Sequence, residues 1–366
     1  MTAAAAPLVI DDATPQDEAA IRHLLSRPMP GDIAFASPRE PDHQLATTIE
    51  GDRHQEIVAR QGDEGRVVAY ASRSVRSVWV NARPTRVGYL SALRLTPDIH
   101  ASIRGLKHGF DRLNSFRLSD EADYDITSIM ASNRRARRLL EAGLPHLPTY
   151  TPLGRLATLI LRVRRRIERS TKISHASRDD ITDVVGCLQR DGCHWQYRPV
   201  WTSADLLSQS RCRCLDIGDF LMFRDEGRVR ACLAVWDQRT FKQISIAGYT
   251  GWMSRCRVVV NMLSGLTGRP RLPGPGQSLA LGYVSHLAVD PAHPIDAAAM
   301  LDAAFQLARA RGLTYLALGM PEEHALTSAL KRRFRPWVIT SIIYAVHYGD
   351  APNLDSRPAW PEVASL

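Results

Sequence analysis

The feature that most constrains this chain is that it repeats itself. Asp63-Glu64-Gly65-Arg66-Val67 recurs as Asp225-Glu226-Gly227-Arg228-Val229, an offset of 162 residues. Each copy lies between alternating apolar stretches, so each reads as the turn of a β-hairpin. A second match follows, Gly88-Tyr89-Leu90-Ser91-Ala92-Leu93-Arg94-Leu95-Thr96-Pro97 against Gly282-Tyr283-Val284-Ser285-His286-Leu287-Ala288-Val289-Asp290-Pro291, at an offset of 194. In both, a strand is halted by a proline, which has no N–H to give a ladder. Helical spacing comes next, through Ile103, Leu106, Phe110 and Leu113, and through Met300, Leu301, Ala304, Phe305 and Ala308.

The offsets differ by 32 residues, so the second copy carries an insert of that size between hairpin and strand. These extra residues fall within the stretch 237–280, which ends rich in Gly and Pro and reads as a loop. Beyond each helix the pattern predicts a strand (Asp125 to Met130, Leu313 to Leu318), a short helix and a last β-rich segment (Leu156 to Val163, Thr340 to Tyr348). Two α/β domains are therefore expected, residues 1–165 and 166–350, joined through the arginine-rich stretch Arg162 to Arg169 and followed by a tail, residues 351–366.

Composition narrows the function classes. The longest apolar candidate for a bilayer span, Leu156 to Leu161, is only strand-length, so no membrane span is expected. Asp11 and Asp12 directly follow the apolar Leu8 to Ile10, which argues against a secretory signal and for a cytoplasmic location. The six cysteines fall between Cys187 and Cys256 without the spacing of a disulfide framework or a zinc set, so they read as unpaired thiols and no metal is expected. Between Arg134 and Lys172 there are ten Arg and one Lys against Glu141 and Glu168, a local surplus as large as the +9 of the whole chain. Such a surplus suits a polyanion: nucleic acid, an anionic membrane face or a phosphorylated cofactor. A solvated helix face with a charged linker accounts for it equally well.

The order of hairpin, Pro-ended strand, helix, strand, short helix and last strand resembles the GCN5-related N-acetyltransferase superfamily, here as a tandem pair. The resemblance implies an α/β (α+β) fold of two domains, each a mixed, mostly antiparallel twisted sheet flanked by helices, with a splayed central strand pair that receives acyl-CoA as co-substrate. The family's diphosphate loop, Arg/Gln-x-x-Gly-x-Gly/Ala, falls on His100-Ala101-Ser102-Ile103-Arg104-Gly105, where only Gly105 is retained. In the second copy it falls on Pro294 to Ala299, with Asp296 facing the phosphate position. Exposed N–H groups at a helix start bind anions on physical grounds alone. The stretch Asn133-Arg134-Arg135-Ala136 resembles the start of the family's Asn-x-x-Ala motif, but Leu140 occupies the position of its tyrosine. The first domain is thus the expected acyl-CoA site, with His100, Ser102, Arg104, Gly105 and Asn133 as contacts and Arg134 and Arg135 near the adenosine phosphates.

Acyl transfer to an amine needs a neutral nucleophile, a polarised carbonyl and a proton for the thiolate. Backbone amides around Leu93 and Leu95 are expected to polarise the carbonyl. His286, on the repeated strand of the second copy, and Tyr150, after the short helix, are the candidate proton-transfer groups. Two aromatic clusters, Trp236, Phe241, Tyr249, Trp252 and Met253, and Trp195, Tyr197 and Trp201, belong to core or to an acceptor pocket. The expected activity is acyl-CoA-dependent N-acyl transfer, most simply N-acetyl transfer, to a primary amine of a small molecule or peptide. An aminoacyl-tRNA-dependent transferase and a non-catalytic ligand sensor or scaffold are the alternatives. Nucleic acid is not the favoured partner, and the oligomeric state is not legible.

Overall fold

The computed structural model describes residues 8–29, 33–62, 65–99, 103–117, 122–164, 172–249, 251–267, 271–290 and 297–366. The first copy runs β1 (Leu8–Asp12), α1 (Glu18–Leu25), β2 (Ile33–Ala36), α2 (Gln44–Glu50), β3 (Arg53–Gln61), β4 (Arg66–Val80), β5 (Arg83–Leu95), α3 (Ile103–Arg117), β6 (Asp125–Met130), α4 (Arg134–Leu140) and β7 (Thr149–Arg162). The second runs β8 (Ile173–His175), α5 (Ile181–Gly192), α6 (Ser203–Leu207), β9 (Phe220–Asp225), β10 (Arg228–Trp236), β11 (Ser245–Tyr249), α7 (Gly251–Thr267), β12 (Leu281–Val289), α8 (Ala297–Ala310), β13 (Tyr315–Pro321), α9 (Ala325–Phe334) and β14 (Trp337–His347).

Twelve strands form one sheet in the order β1-β3-β4-β5-β6-β14-β7-β13-β12-β10-β9-β8. The two copies enter from opposite edges and meet in the middle, where they exchange their last strands. β14 of the second copy pairs with β6 of the first, Ser341 opposite Met130 through Val346 opposite Asp125. β7 of the first copy pairs with β13 of the second, Tyr315 opposite Arg162 through Pro321 opposite Leu156. Each copy's sheet is thus continued by the other's terminal strand. Each copy is a mixed sheet flanked by helices.

Helix spacing decides what is buried. Leu106, Phe110 and Leu113 of α3 pack with Ile57, Ala71 and Leu90 on one face of the sheet. Met300, Leu301, Ala304, Phe305 and Ala308 of α8 join the large central core with Leu233, Val235 and Leu316. Ile103, placed by spacing on the inner stripe of α3, is instead 54% exposed, because it is the first helical residue and lies beyond the edge of the packed layer.

The insert is more ordered than its Gly and Pro content suggests. It holds β11 and the 17-residue α7, and regular structure is lacking among its described residues only before Ser245 and after Thr267. β11 pairs with β2 of the first copy, Ser245 opposite Ala36 and Tyr249 opposite Ile33. The insert therefore covers the α2 face of the other half. No helix of the described residues is long and apolar enough to cross a membrane, and all six cysteines are free.

Candidate active site

Both copies carry the same irregularity at the same place. On the β4–β5 ladder Tyr70 faces Arg94 and Ser72 faces Ser91, so β5 holds one residue more than its partner. On β10–β12 Cys232 faces Ala288 and Ala234 faces Ser285, the same surplus. Ser72 and Ala234 are related by the offset of 162, and Ser91 and Ser285 by 194. The extra residue is a β-bulge, centred on Ala92 (φ 57°) in one copy and His286 (φ 52°) in the other.

Beside each bulge a parallel neighbour peels away. β5 pairs with β6 only at Gly88–Asp125 and Tyr89–Ile126, and β12 with β13 only from Leu281–Tyr315 to Tyr283–Ala317. Past these points the strands diverge into a wedge, and in the first copy Thr127 Oγ1 donates to the Leu90 carbonyl at 2.7 Å, where a ladder bond would otherwise form. Gly88 sets the apex, since a Cβ there would lie 1.7 Å from Asp125 Oδ1. That carboxylate is held by the buried Arg73, whose Nε donates to it at 2.7 Å.

The two wedges differ in what occupies them. In the second, the His286 backbone N–H at the bulge donates to Glu362 Oε2 at 3.1 Å. Trp360 Nε1 donates to the Gly319 carbonyl at 2.7 Å, and Val363 fills the space a Gly319 side chain would need. Residues 359–366 thus plug the second wedge. In the first, Leu93 is 43% exposed, whereas its counterpart Leu287 is 5% exposed. The edge of β5 that faces the diverging strand is open.

Because β5 and β6 are parallel, α3 and α4 both begin at the mouth of the first wedge, with their N–H ends toward it. Arg104 is exposed and Gly105 half-buried in the first turn of α3, and Leu95 is half-buried on β5. Asn133 caps α4, its side chain accepting from Ala136 N at 3.2 Å, and Arg134 and Arg135 stand exposed in the first turn. His100, Ser102, the hairpin residues Asp63 and Glu64, and Pro294 to Asp296 lie outside the described residues, as does most of the arginine-rich joint.

The two candidate proton-transfer groups lie in different halves, His286 on β12 of the second copy and Tyr150 on β7 of the first. His286 is fully buried, its ring packed against Trp201, Phe220 and Trp236. Burial, reinforced by Arg198 and Arg211, pushes its pKa down to about 3, so the ring is neutral at physiological pH. Tyr150 packs edge-on against Phe110 and Tyr344 on the α3 face, and burial holds its phenol well above the ordinary value. Tyr197, Trp201, Trp236 and Phe241 are buried, so most of the described aromatic positions are core.

On the opposite face lies a polar group that motif reading misses. Glu50, the last residue of α2, is fully buried and accepts from Arg39 Nη2 at 2.6 Å, from Ser91 Oγ at 3.4 Å and from Ser74 Oγ at 3.5 Å. Ser91 and Ser72 share a hydrogen bond at 2.8 Å, and His54 Nδ1 meets Ser74 Oγ at 2.7 Å. A continuous chain therefore runs from Ser91, one residue before the bulge, to His54. Burial alone would raise the Glu50 pKa, but Arg39, Lys242, His54 and Arg76 outweigh it, so the carboxylate is ionised. Lys242, from the insert, donates to the Leu366 carbonyl at 2.5 Å, and burial lowers its pKa to about 8. Farther along, His43 is clamped between Glu18 and Glu56, and Tyr70 donates to Glu56. Glu18, Asp42 and His43 place ligand-type atoms within 4.8 Å of one another, yet both His43 nitrogens are already engaged by carboxylates. Strand exchange adds Tyr344 from β14, whose hydroxyl accepts from Arg137 Nε at 3.2 Å and donates to Glu141 beside α4.

No family model matches the chain, and no curated protein does. Solved structures do. The chain superposes on the GCN5-related glucosamine N-acetyltransferase region of a fungal multi-domain GH3 β-N-acetylglucosaminidase with a TM-score of 0.60 at 16% identity, covering 94% of this chain and 38% of that one. It superposes on Saccharomyces cerevisiae N-myristoyltransferase with bound myristoyl-CoA (TM-score 0.60, 11% identity, 98% of this chain and 90% of that one). A GCN5-related N-acetyltransferase from Sphaerobacter thermophilus gives 0.57 at 14% identity, over 96% and 98% of the two chains. The wedge, the bulge and the whole-chain superpositions agree: this chain has the GCN5-related N-acetyltransferase fold, in two copies.

Proposed function

We propose that the chain is an acyl-CoA-dependent N-acyltransferase that works at the first wedge, with the second retained as a plugged scaffold. The single observation that carries this reading is the contrast at the paired bulges, where the edge of β5 is open at Leu93 while Glu362 holds the matching amide at His286. Similarity to N-acyltransferases, one with bound myristoyl-CoA, supports the same class of donor.

In this reading the diphosphate lies at the start of α3 on Gly105 and Arg104, with His100 and Ser102, just ahead of them in sequence, as further contacts and Asn133, Arg134 and Arg135 beside it. Amides between Leu93 and Leu95 polarise the thioester carbonyl. The amine acceptor enters from the α2 face. Its nitrogen attacks the carbonyl carbon, the C–S bond breaks, and the ammonium proton leaves through Ser91 to the ionised Glu50. The departing thiolate takes a proton from the opposite face, where Tyr150 and Tyr344 supply hydroxyls. His286, neutral and enclosed, belongs to the packing of the second copy. Residues 1–165 and 166–350 then form a working and a supporting unit, with acetyl as the first acyl group to test.

Thermal melting with acetyl-CoA and longer acyl-CoAs tests the reading, because a ligand of the native state at about a hundred times its Kd adds about 2.7 kcal/mol. Gly105→Asp should remove the shift through crowding and charge repulsion. Ala299→Asp, its counterpart at the offset of 194, should leave it in place. Equal loss in both variants, or a shift with tRNA and none with any thioester, would reject it.

A further inference from the structure

The polar face around Glu50 holds more cationic donors than its carboxylates satisfy. Arg39 is 5% exposed and gives Nη2 to Glu50, yet its Nε and Nη1 have no hydrogen-bond partner. Arg94, on β5 directly across from Tyr70, gives Nη1 to its own neighbour's carbonyl at Leu93, and its Nε is likewise without a partner. Among the described residues the nearby acids are otherwise engaged: Glu56 by Tyr70 and His43, Glu18 by His43 and Arg22, Glu40 by Arg22. Lys242 and Arg76 add positive charge on the same face and are bonded to Leu366 and Ser365.

Buried guanidinium donors are ordinarily paired, so unpartnered buried donors on Arg94, beside the bulge, and on Arg39, against Glu50, are suited to hold an anion. Arg is also the side chain whose planar fork matches a carboxylate or phosphate. Arg94 lies two residues past the bulge at Ala92 and Ser91 one residue before it, while Arg39 holds Glu50 on the Ser91 side, so cationic donors stand on both sides of the point where the acyl carbonyl would sit.

We propose that the amine acceptor carries an anionic group, a carboxylate or phosphate, which Arg39 and Arg94 bind while its amine faces Ser91 and Glu50. The acceptor class is then a zwitterion of amino-acid or phospho-amine type, and polyamines and aminoglycosides, polycations with no anionic group, are poor fits. This rests on the reading that the first wedge carries the transfer.

The test holds full-length protein at saturating acetyl-CoA and follows melting with matched pairs: glycine against glycinamide, and O-phosphoethanolamine against ethanolamine. In at least one pair the member that carries the anionic group is expected to bind about tenfold more tightly than the member that lacks it, as one charge-assisted bond provides. Arg94→Met, at a half-exposed position, should erase that preference without altering the acetyl-CoA shift. Arg39→Met combined with Glu50→Gln, which avoids stranding a buried carboxylate, should do the same. Inorganic phosphate alone should compete with O-phosphoethanolamine and leave acetyl-CoA bound. Members that lack the anionic group binding as well as those that carry it, or no amine binding while acetyl-CoA still stabilises, overturns the proposal and spares the transferase reading. If Arg94→Met weakens acetyl-CoA instead, the cations serve the cofactor and the proposal falls. Absence of any acetyl-CoA shift condemns the transferase reading itself.

Discussion

The first and second wedges are built on one plan and finished differently. Each has a glycine at the apex, a bulge two strands from the exchanged pair, and a helix start at the mouth. Yet one bulge carries Ala92 beside a half-exposed leucine, and the other carries His286 wrapped in aromatic rings and hydrogen-bonded to the tail. Duplication preserves the backbone device because the sheet needs it, while side chains and the segment that fills the gap are free to diverge. The same tail also reaches the first copy, through Arg76 to Ser365 and Lys242 to Leu366. The plug of one wedge is thus a wall of the other's polar face.

The largest expected effect comes from removing that plug's anchor. Glu362 takes the His286 N–H and lies 3.5 Å from Arg198, both buried. Glu362→Ala takes the nearer carboxylate from the buried Arg198, which keeps the Leu287 carbonyl and the more distant Asp191, and leaves the His286 N–H without an acceptor, and urea titration should show a loss of about 3–5 kcal/mol. If the second wedge is only a scaffold, the variant that still folds should bind one acyl-CoA per chain, as the wild type should. Two per chain would mean that the tail, and nothing in the wedge itself, silences the second copy.

Next in size are the glycines. Gly88→Ala drives a methyl into the Asp125 carboxylate held by Arg73, and Gly319→Ala drives one into Val363, 2.0 Å from the new Cβ. Overpacking costs about 1–3 kcal/mol, and the rigid ion pair should put Gly88→Ala at the upper end. Gly319→Ala should sit lower, because the group it meets, Val363, is uncharged and no ion pair has to give way. Reversal of that order, read from denaturation midpoints, would mean the tail is as firmly set as the sheet.

Much of the scaffold was legible before any coordinates. The two offsets marked hairpin, strand and helix in each copy, and periodicity located Leu106, Phe110 and Leu113 because burial on a helix face is a local property. Strand exchange was not legible, since β7 and β14 carry the same alternating pattern whichever neighbour they pair with. β11 and α7 were hidden by the Gly and Pro that follow them. The tail was hidden because its anchors, Trp360, Glu362 and Val363, act singly, with no repeat to announce them. At the site, the start of α3 was readable from spacing, whereas Lys242 lies about 200 residues beyond Arg39 and Glu50 and reaches their face only through the insert that pairs β11 with β2. His286 attracted notice as a lone histidine on a repeated strand, and burial decides its character.

Histidines give the finest comparison of the halves, because they should titrate against stability with opposite signs. Burial disfavours charged His43, but Glu56 and Glu18 outweigh it and raise its pKa above the usual value near 6.5. Its contribution is therefore complete below about pH 6.5 and disappears as pH climbs through the raised value. His286, pushed down to about 3, behaves inversely: its contribution is complete above about pH 6.5 and is lost as pH falls toward 3. Each limb has a limiting slope of about 1.4 kcal/mol per pH unit for one proton. His43→Asn should flatten only the alkaline limb of a stability profile measured by urea midpoints, and His286→Gln only the acid limb. If His286→Gln instead flattened the alkaline side, the ring would be charged in the folded protein. The second wedge would then hold a titrating base after all, and the division into one working and one silent copy would be lost.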